Sequence, residues 1–312
     1  MIYILGGANM DMYGRPEKSL NLHDSNIGDI KLVHGGVGRN ITESLARLSQ
    51  SVAFMSAFGK DDFGKALCSR LTDLHVNIED SLITDESKTA TYMAVLNDDG
   101  DMEVAICDNR VVGLLTPKSV AAFLAKAKKE DILVMDANLN EEVIATAMEL
   151  TNARIFVDPL SQAKAMKLRH HLNKIYAFKP NIYEAEVLYG KPIQSEQDLY
   201  DVGTFFLEKG ISHIYLSLGE KGMYYRSANE SMLIRGTRED MVNASGAGDA
   251  CMAGIIYGHA NGLDLHDIVE IAMSNAVLAL HSEDTVPQDL SEEKLLKRKN
   301  DLTFEWRKLE CK

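Results

Sequence analysis

The chain has 312 residues, 46% hydrophobic and 25% charged, a composition that fits one large α/β domain with an appendage. Acidic residues outnumber basic ones by 46 to 33, giving a formal charge of -13, and no basic run tracks a nucleic-acid backbone. No apolar run reaches membrane-spanning length and Met-Ile-Tyr-Ile-Leu lacks a basic leader region, so a cytoplasmic protein without nucleic-acid or membrane partners is expected.

Ile2–Leu5 is a short apolar run ending in Gly6-Gly7, the pattern of a buried parallel strand that opens at a site. Asn9 and Asp11 follow at alternate positions, so an extended segment points them the same way. Such a pair can grip vicinal hydroxyls, or it can form an Asx-type turn. Residues 15–28 lack periodicity and are read as loop, with a short strand at Ile30–Val33. His34-Gly-Gly-Val-Gly-Arg-Asn40 then places Gly35, Gly36 and Gly38 before a helix with Ile41, Leu45 and Leu48 at helical spacing. It is not a dinucleotide fingerprint, because Ile41 stands at the third glycine position. A turn offering N–H groups to a polar ligand and a turn needed only for geometry are equally open.

Val52–Met55 reads as a strand and 63–74 as an amphipathic helix. Thr89–Leu96, the turn Asn97-Asp-Asp-Gly100 and Met102–Ile106 form a β-hairpin that interrupts the βα alternation. With 10–35 it is expected to build a small sheet that acts as a lid. From Thr116-Pro117, a helix start, strands and helices alternate: strands at 132–135, 155–157, 175–178 and 213–216, a hairpin at about 223–234, and helices at 247–260, 265–281 and 291–310. The expected fold is a doubly wound, mostly parallel sheet flanked by helices, one domain over 1–312 with a β lid at about 10–35 and 88–110. Ligands bind such sheets at the carboxyl ends of the strands, where Asp11, Asp136, Asp158, Asn181, Ser217 and Asp249 all fall.

Two pairings carry chemistry. Asn181 and Glu184, three apart at a helix start, fit a capping box, and the same pair can order the waters of a bound Mg²⁺. Gly246-Ala-Gly-Asp249 turns sharply into a strongly apolar helix whose first N–H groups lack partners and carry the positive dipole end, which suits a phosphoryl group. Asp249 is then either an N-cap or a base taking a proton from an attacking hydroxyl, kept ionised by the dipole. The four cysteines are widely spaced, with Cys251 read as a small buried hydrophobe. The histidines show no HExxH, and His170-His171 is read as solvated surface.

Gly35-Gly36 before a helix, Asn181-x-x-Glu184 and Gly246-Ala-Gly-Asp249, in that order on such a chain, resemble the ribokinase-like (PfkB-type) carbohydrate kinases over essentially the whole length. Asn9-Met-Asp11, Leu20-Asn21, Asp24-Ser-Asn26, Gly28, Ile30-Lys31, Val37, Arg39, Asp136-Ala-Asn138, Val157-Asp-Pro159 and Lys179-Pro-Asn181 are most similar to the pseudouridine kinase branch of that family. The resemblance implies an ATP- and Mg²⁺-dependent kinase for the 5′-hydroxyl of pseudouridine. Asp249 would be the base, and the N–H groups of Gly246, Ala247 and Gly248 the anion hole. Asn9, Asp11, Gly36 and Asn40 would hold the ribose, with Ser25 and Asn26 near the base ring. Asn181 and Glu184 would order Mg²⁺ through water, mainly by Glu184. Ser217, Gly219, Gly222 and Asn275 would line the nucleotide site. Many members carry an acid at the position of Asn243 that helps hold a monovalent cation; with Asn243 there, K⁺ dependence is not predicted. A homodimer through the lid is expected from the family. The alternatives are a related kinase for another ribonucleoside or sugar, and a nucleoside- or sugar-sensing binder that has lost turnover.

Overall fold

The computed structural model describes residues 1–237 and 245–310. In chain order the elements are β1 (Ile2–Leu5), β2 (Asn9–Pro16), β3 (Gly28–Gly35), α1 (Val37–Arg47), β4 (Val52–Met55), β5 (Ala57–Gly59), α2 (Asp62–Asp73), β6 (Leu82–Thr84), β7 (Thr91–Leu96) and β8 (Met102–Asp108). They continue with α3 (Pro117–Leu124), β9 (Ile132–Asp136), α4 (Glu141–Leu150), β10 (Arg154–Asp158), α5 (Gln162–Ala165), β11 (Ala177–Phe178), α6 (Ile182–Tyr189), α7 (Glu196–Glu208) and β12 (His213–Ser217). The chain closes with β13 (Met223–Arg226), β14 (Ser231–Gly236), α8 (Ala247–Ala260), α9 (Leu265–Leu280), α10 (Glu292–Asp301) and β15 (Phe304–Lys308).

Nine strands form one sheet in the order β15-β14-β13-β12-β11-β10-β9-β1-β4. The six strands from β4 to β12 run parallel, and β13, β14 and β15 extend the sheet antiparallel. β1 and β9 are buried at every position, as unbroken apolar strands must be when helices cover both faces. Tyr3, Leu5, Leu133 and Met135 pack on one side with Val120, Val143 and Phe206 of α3, α4 and α7. Ile2, Ile4, Ile132 and Val134 pack on the other with Ile41, Met252 and Ile268 of α1, α8 and α9. The α8 run Ala250–Gly258, including Cys251, is buried throughout, because a helix apolar all round has to be enclosed.

A separate four-strand sheet, ordered β3-β2-β7-β8, stands beside the large one. Its pairing puts Leu32, Met12, Met93 and Ile106 in one row and Ile30, Gly14, Val95 and Val104 in the next row of the same face. Val33, Asp11, Tyr92 and Cys107 form a row on the opposite face, since successive side chains alternate. β5 and β6 form a small parallel pair that the sequence pattern did not reveal.

The C-terminal reading needs correction. The helix expected over 291–310 ends at Asp301, and Phe304–Lys308 instead pairs antiparallel with β14. Phe304 and Trp306 then sit two apart against the core, so pairing at the sheet edge decides the conformation. The segment read as loop over 15–28 is also shorter, because β2 runs to Pro16 and β3 starts at Gly28.

His259, near the end of α8, is packed among Phe156, Tyr176 and His213, and its Nε2 pairs with the Tyr215 hydroxyl at 2.8 Å. Burial pushes its pKa down to about 3, helped by His213 and Arg154. An unfolded histidine titrates near 6.5, so between about 6.5 and 3 the unfolded chain binds the extra proton. The stability contribution is complete above that window and is lost as pH falls through it. We expect wild type to lose about 2 kcal/mol more than His259→Phe between pH 7 and pH 5, read by urea unfolding at the two pH values. Equal losses would show that His259 is not held neutral.

Candidate active site

Two glycine turns meet at the carboxyl ends of β1 and β9. Gly36 has φ 96°, and a Cβ there would stand 2.6 Å from Gly7 O and Ala8 Cα, so only glycine lets α1 start against β1. Asp136, buried at the end of β9, binds both turns: its Oδ2 accepts from Gly7 N and Gly38 N, each at 2.8 Å. Its Oδ1 accepts from Asn138 N at 2.8 Å. Burial raises the pKa of this carboxyl, and the three N–H donors act against that rise.

Over this floor lies the inner face of the small sheet. Asn9 Nδ2 donates to Asp11 Oδ1, so the two residues at alternate positions do point together. The Tyr13 hydroxyl donates weakly to Asp11 Oδ2 at 3.5 Å and also hydrogen-bonds Ser245, linking β2 to the turn before α8. Burial pushes the Asp11 carboxyl up to about 6, against the pull of Asn9, Arg39 and Tyr13.

Asn40 Nδ2 donates to Asp249 Oδ2 at 2.7 Å, and Asn40 Oδ1 accepts from Thr285 Oγ1 at 3.2 Å. Arg39 is enclosed: it donates to Thr285 Oγ1 at 3.1 Å and to Glu43 Oε2 at 2.9 Å. Its place is behind Asn40 in the support of α1. Gly246 has φ 83°, and a Cβ there would stand 2.3 Å from Thr285 O, so the 285 segment fits against a turn that only glycine can make.

Among the described residues no side chain caps the N-terminus of α8, and Asp249 stands in its first turn. Of the two sequence readings, the N-cap is therefore excluded by position. The dipole expected to favour the ionised form of Asp249 is opposed by its surroundings. Burial, then repulsion from Asp158, pushes its carboxyl up to about 7, outweighing Asn40, Lys179 and Arg39. Below lies a buried ion pair, Lys179 Nζ with Asp158 Oδ2 at 3.0 Å. Burial opposes the Lys179 charge, but Asp158 and Glu184 hold it, and its pKa is raised. Lys179 Nζ lies 3.6 Å from where a Cβ of Gly248 would be, which sets a cation directly under the open helix end.

Asn181 and Glu184 form the capping box of α6: Glu184 N donates to Asn181 Oδ1 and Asn181 N to Glu184 Oε2, each at 2.9 Å. Glu184 is buried, and burial together with Asp158 raises its pKa. Asp158, Glu184 and Asp249 thus share one lysine, a surplus of negative charge suited to a hydrated divalent cation. Among the described residues no three His, Cys, Asp or Glu converge as an all-protein metal cage. Ser217 N donates to Pro180 O at 2.9 Å, which brings the turn holding Gly219 and Gly222 beside Asn181.

Three expected positions lie elsewhere. Asn275 is fully enclosed between α8 and α9, where Nδ2 donates to Ala250 O at 2.8 Å, so it fixes the first turn of α8 from behind. Asn26 folds on its own loop, donating to Asn21 O at 2.9 Å and accepting from Asn21 N at 2.8 Å, and Ser25 is exposed beside it. Asn243 falls outside the described residues.

Residues 1–291 match the family model of pfkB family carbohydrate kinases. The chain is 35% identical to the pseudouridine kinase of Escherichia coli strain K12 over 93% of both chains. The chain belongs to the PfkB family of carbohydrate kinases. It is therefore an ATP-dependent phosphotransferase that acts on a hydroxyl group. Two solved structures share the ribokinase fold: a protein assigned as a sugar kinase from Clostridium perfringens, with TM-score 0.87, 30% identity and 98% of each chain covered, and an E. coli protein assigned as ribokinase II. The latter, in complex with ATP and Mg²⁺, has TM-score 0.83 and 17% identity over 96% of this chain and 99% of its own.

Within this PfkB chain, Lys179, Tyr13 and Thr285 belong to the site and were missed from sequence. Lys179 entered only within the Lys179-Pro-Asn181 resemblance, without a role of its own. Thr285 carried none, since its segment reaches the site only through packing. Asp136→Asn keeps the size but presents an amide N–H₂ to backbone donors. We expect a loss of roughly 1–3 kcal/mol in urea unfolding, the cost of a buried donor left unmatched. An unchanged midpoint would show that the two turns stand without the carboxylate.

Proposed function

We propose that the enzyme transfers the γ-phosphoryl group of Mg²⁺-bound ATP to the 5′-hydroxyl of pseudouridine. The observation that carries the reaction is Asp249, aimed by Asn40 beside the uncapped end of α8 with Lys179 beneath. The acceptor assignment is supported by the E. coli pseudouridine kinase, 35% identical over 93% of this chain. Asn9, Asp11, Gly36 and Asn40 hold the ribose hydroxyls. Asp249 accepts the 5′-hydroxyl proton as that oxygen attacks phosphorus. The N–H groups of Gly246, Ala247 and Gly248, with the Lys179 ammonium, receive the charge on the transferring phosphoryl oxygens. Glu184 and Asn181 would hold Mg²⁺ mainly through water, and the cation would supply charge neutralisation for the phosphates. The nucleotide lies over Ser217, Gly219 and Gly222, with Asn275 holding α8 in place for it. Unpaired Cys68, Cys107 and Cys251 accord with a cytoplasmic enzyme, and among the described residues no helix is long and apolar enough to cross a membrane.

The outer rows of the small sheet support a homodimer through the lid. Ile30 is 77% exposed and Ile106 62%, and Leu32, Met93 and Val104 are also open, in a continuous apolar face. Wild type should sediment as a dimer, and Leu32→Asp with Ile106→Asp as a monomer. A monomeric wild type defeats this assembly.

Turnover decides the rest. ADP release with Mg²⁺ and ATP should be fastest with pseudouridine among pseudouridine, uridine, adenosine, ribose and fructose. A preference for another nucleoside or sugar overturns the acceptor and leaves the kinase. Asp249→Asn should lower kcat by at least about 10²-fold with little change in acceptor binding. The Asp249 carboxyl must lose its proton to act, so kcat/KM should fall as pH drops through about 7. Asn40→Ala removes the bond that favours the ionised form and should move this limb to higher pH. A limb that stays in place separates Asp249 from the titration.

A further inference from the structure

Asn40 is buried, and both ends of its amide are taken by side chains: Nδ2 donates to Asp249 Oδ2 at 2.7 Å, and Oδ1 accepts from Thr285 Oγ1 at 3.2 Å. Only the N–H₂ end suits an ionised Asp249, because a carboxylate accepts and cannot donate. Turned end for end, the amide would set its carbonyl oxygen against the carboxylate. The group behind Asn40 therefore decides whether the base is supported or opposed.

A hydroxyl alone does not settle the choice, since it can donate to a carbonyl or accept from an N–H. Arg39 removes that freedom. Its Nη2 donates to Thr285 Oγ1 at 3.1 Å and also to His34 O. The hydroxyl hydrogen has two acceptors in reach, His34 O at 3.0 Å and Asn40 Oδ1 at 3.2 Å, and the guanidinium already supplies the first. The hydrogen is left for Asn40 Oδ1, and the cation behind it also favours the carbonyl end. Arg39 is fixed in turn: Nε donates to Gly35 O at 3.2 Å and Nη1 to Glu43 Oε2 at 2.9 Å. Buried Glu43 is held from two further sides, by Arg47 Nε at 2.9 Å and Arg70 Nη2 at 2.8 Å.

We propose that Thr285, held by Arg39, is a positioning residue whose hydroxyl fixes which end of the Asn40 amide faces Asp249. It acts through Asn40, from the segment between α9 and α10. Its consequence for catalysis rests on Asp249 being the base. The charged groups bearing on Asp249 are Asp158 at the end of β10, Lys179 after β11 and Arg39 of α1, and Thr285→Val leaves all three in the chain.

The test follows the Asp249 carboxyl directly, by carbon NMR of protein carrying isotope-labelled aspartate, with Asp249→Asn identifying the signal. Thr285→Val removes the hydroxyl and should raise the titration midpoint of Asp249 by about one pH unit, the worth of one hydrogen bond to a charged group. Thr285→Ser keeps the hydroxyl and should hold the wild-type midpoint. In an Asn40→Ala background Thr285→Val should add nothing, since its effect runs through that amide. An unchanged midpoint in Thr285→Val, an equal rise in Thr285→Ser, or a full further rise without Asn40 overturns the assignment. The base is judged separately by kcat/KM, whose acidic limb should move with the midpoint. A limb that stays while the midpoint moves sinks Asp249 as the base and leaves Thr285 its role on Asn40.

Discussion

The carboxylate of Asp136 is the constraint on which the acceptor side depends. The passage from β1 to β2 meets there the passage from β3 to α1, each built on glycines without side chains to pack. Three backbone N–H groups close on one buried acid, with Gly7 and Gly38 sharing a single oxygen. The glycines allow the approach, and the carboxylate fixes it. Asn40 follows four residues after Gly36 in α1, so its position against Asp249 is set by how that helix begins. A protonated acid at the same place would oppose an O–H to an N–H, which is why the site needs Asp136 charged despite its burial.

A second balance governs the phosphoryl side. Burial and the neighbouring Asp158 carboxylate raise Asp249 to about 7, against Asn40, Lys179 and Arg39. Burial keeps its proton affinity high, which a base needs, while Asn40 and Lys179 keep that affinity near working pH. The end of α8 adds N–H groups whose positions were settled by the fold, through Asn275 on Ala250 O and Thr285 against Gly246. Little reorganisation is left for the moment of transfer.

Features carried by local chemistry were legible in the sequence. The alternating apolar runs gave the parallel strands, and the glycine turns and the Asn181/Glu184 spacing marked strand ends that do converge. Features decided by packing were not. Lys179 and Thr285 act through neighbours far along the chain, and Asn275 points into the α8–α9 contact where only its placement shows what it holds. Phe304–Lys308 is a short segment that follows closely on the α10 pattern, with only Glu305 between its two aromatic residues, and the edge of β14 decides its conformation. Asn26 shows a further limit: a loop amide can serve its own backbone as readily as a ligand.

The small sheet joins these two lessons, because a period of two lets one strand serve two surfaces. β2 carries Asp11 and Tyr13 inward, on the side of Ser245, while Met12 and Gly14 face outward in the apolar rows. A shift of one residue in register would exchange the faces and turn Met12 inward in place of Asp11. The inner hydrogen bonds and the outer apolar face therefore select the same pairing. The placement of Asp11 beside Asn9 and Tyr13 is thus a property of the whole sheet.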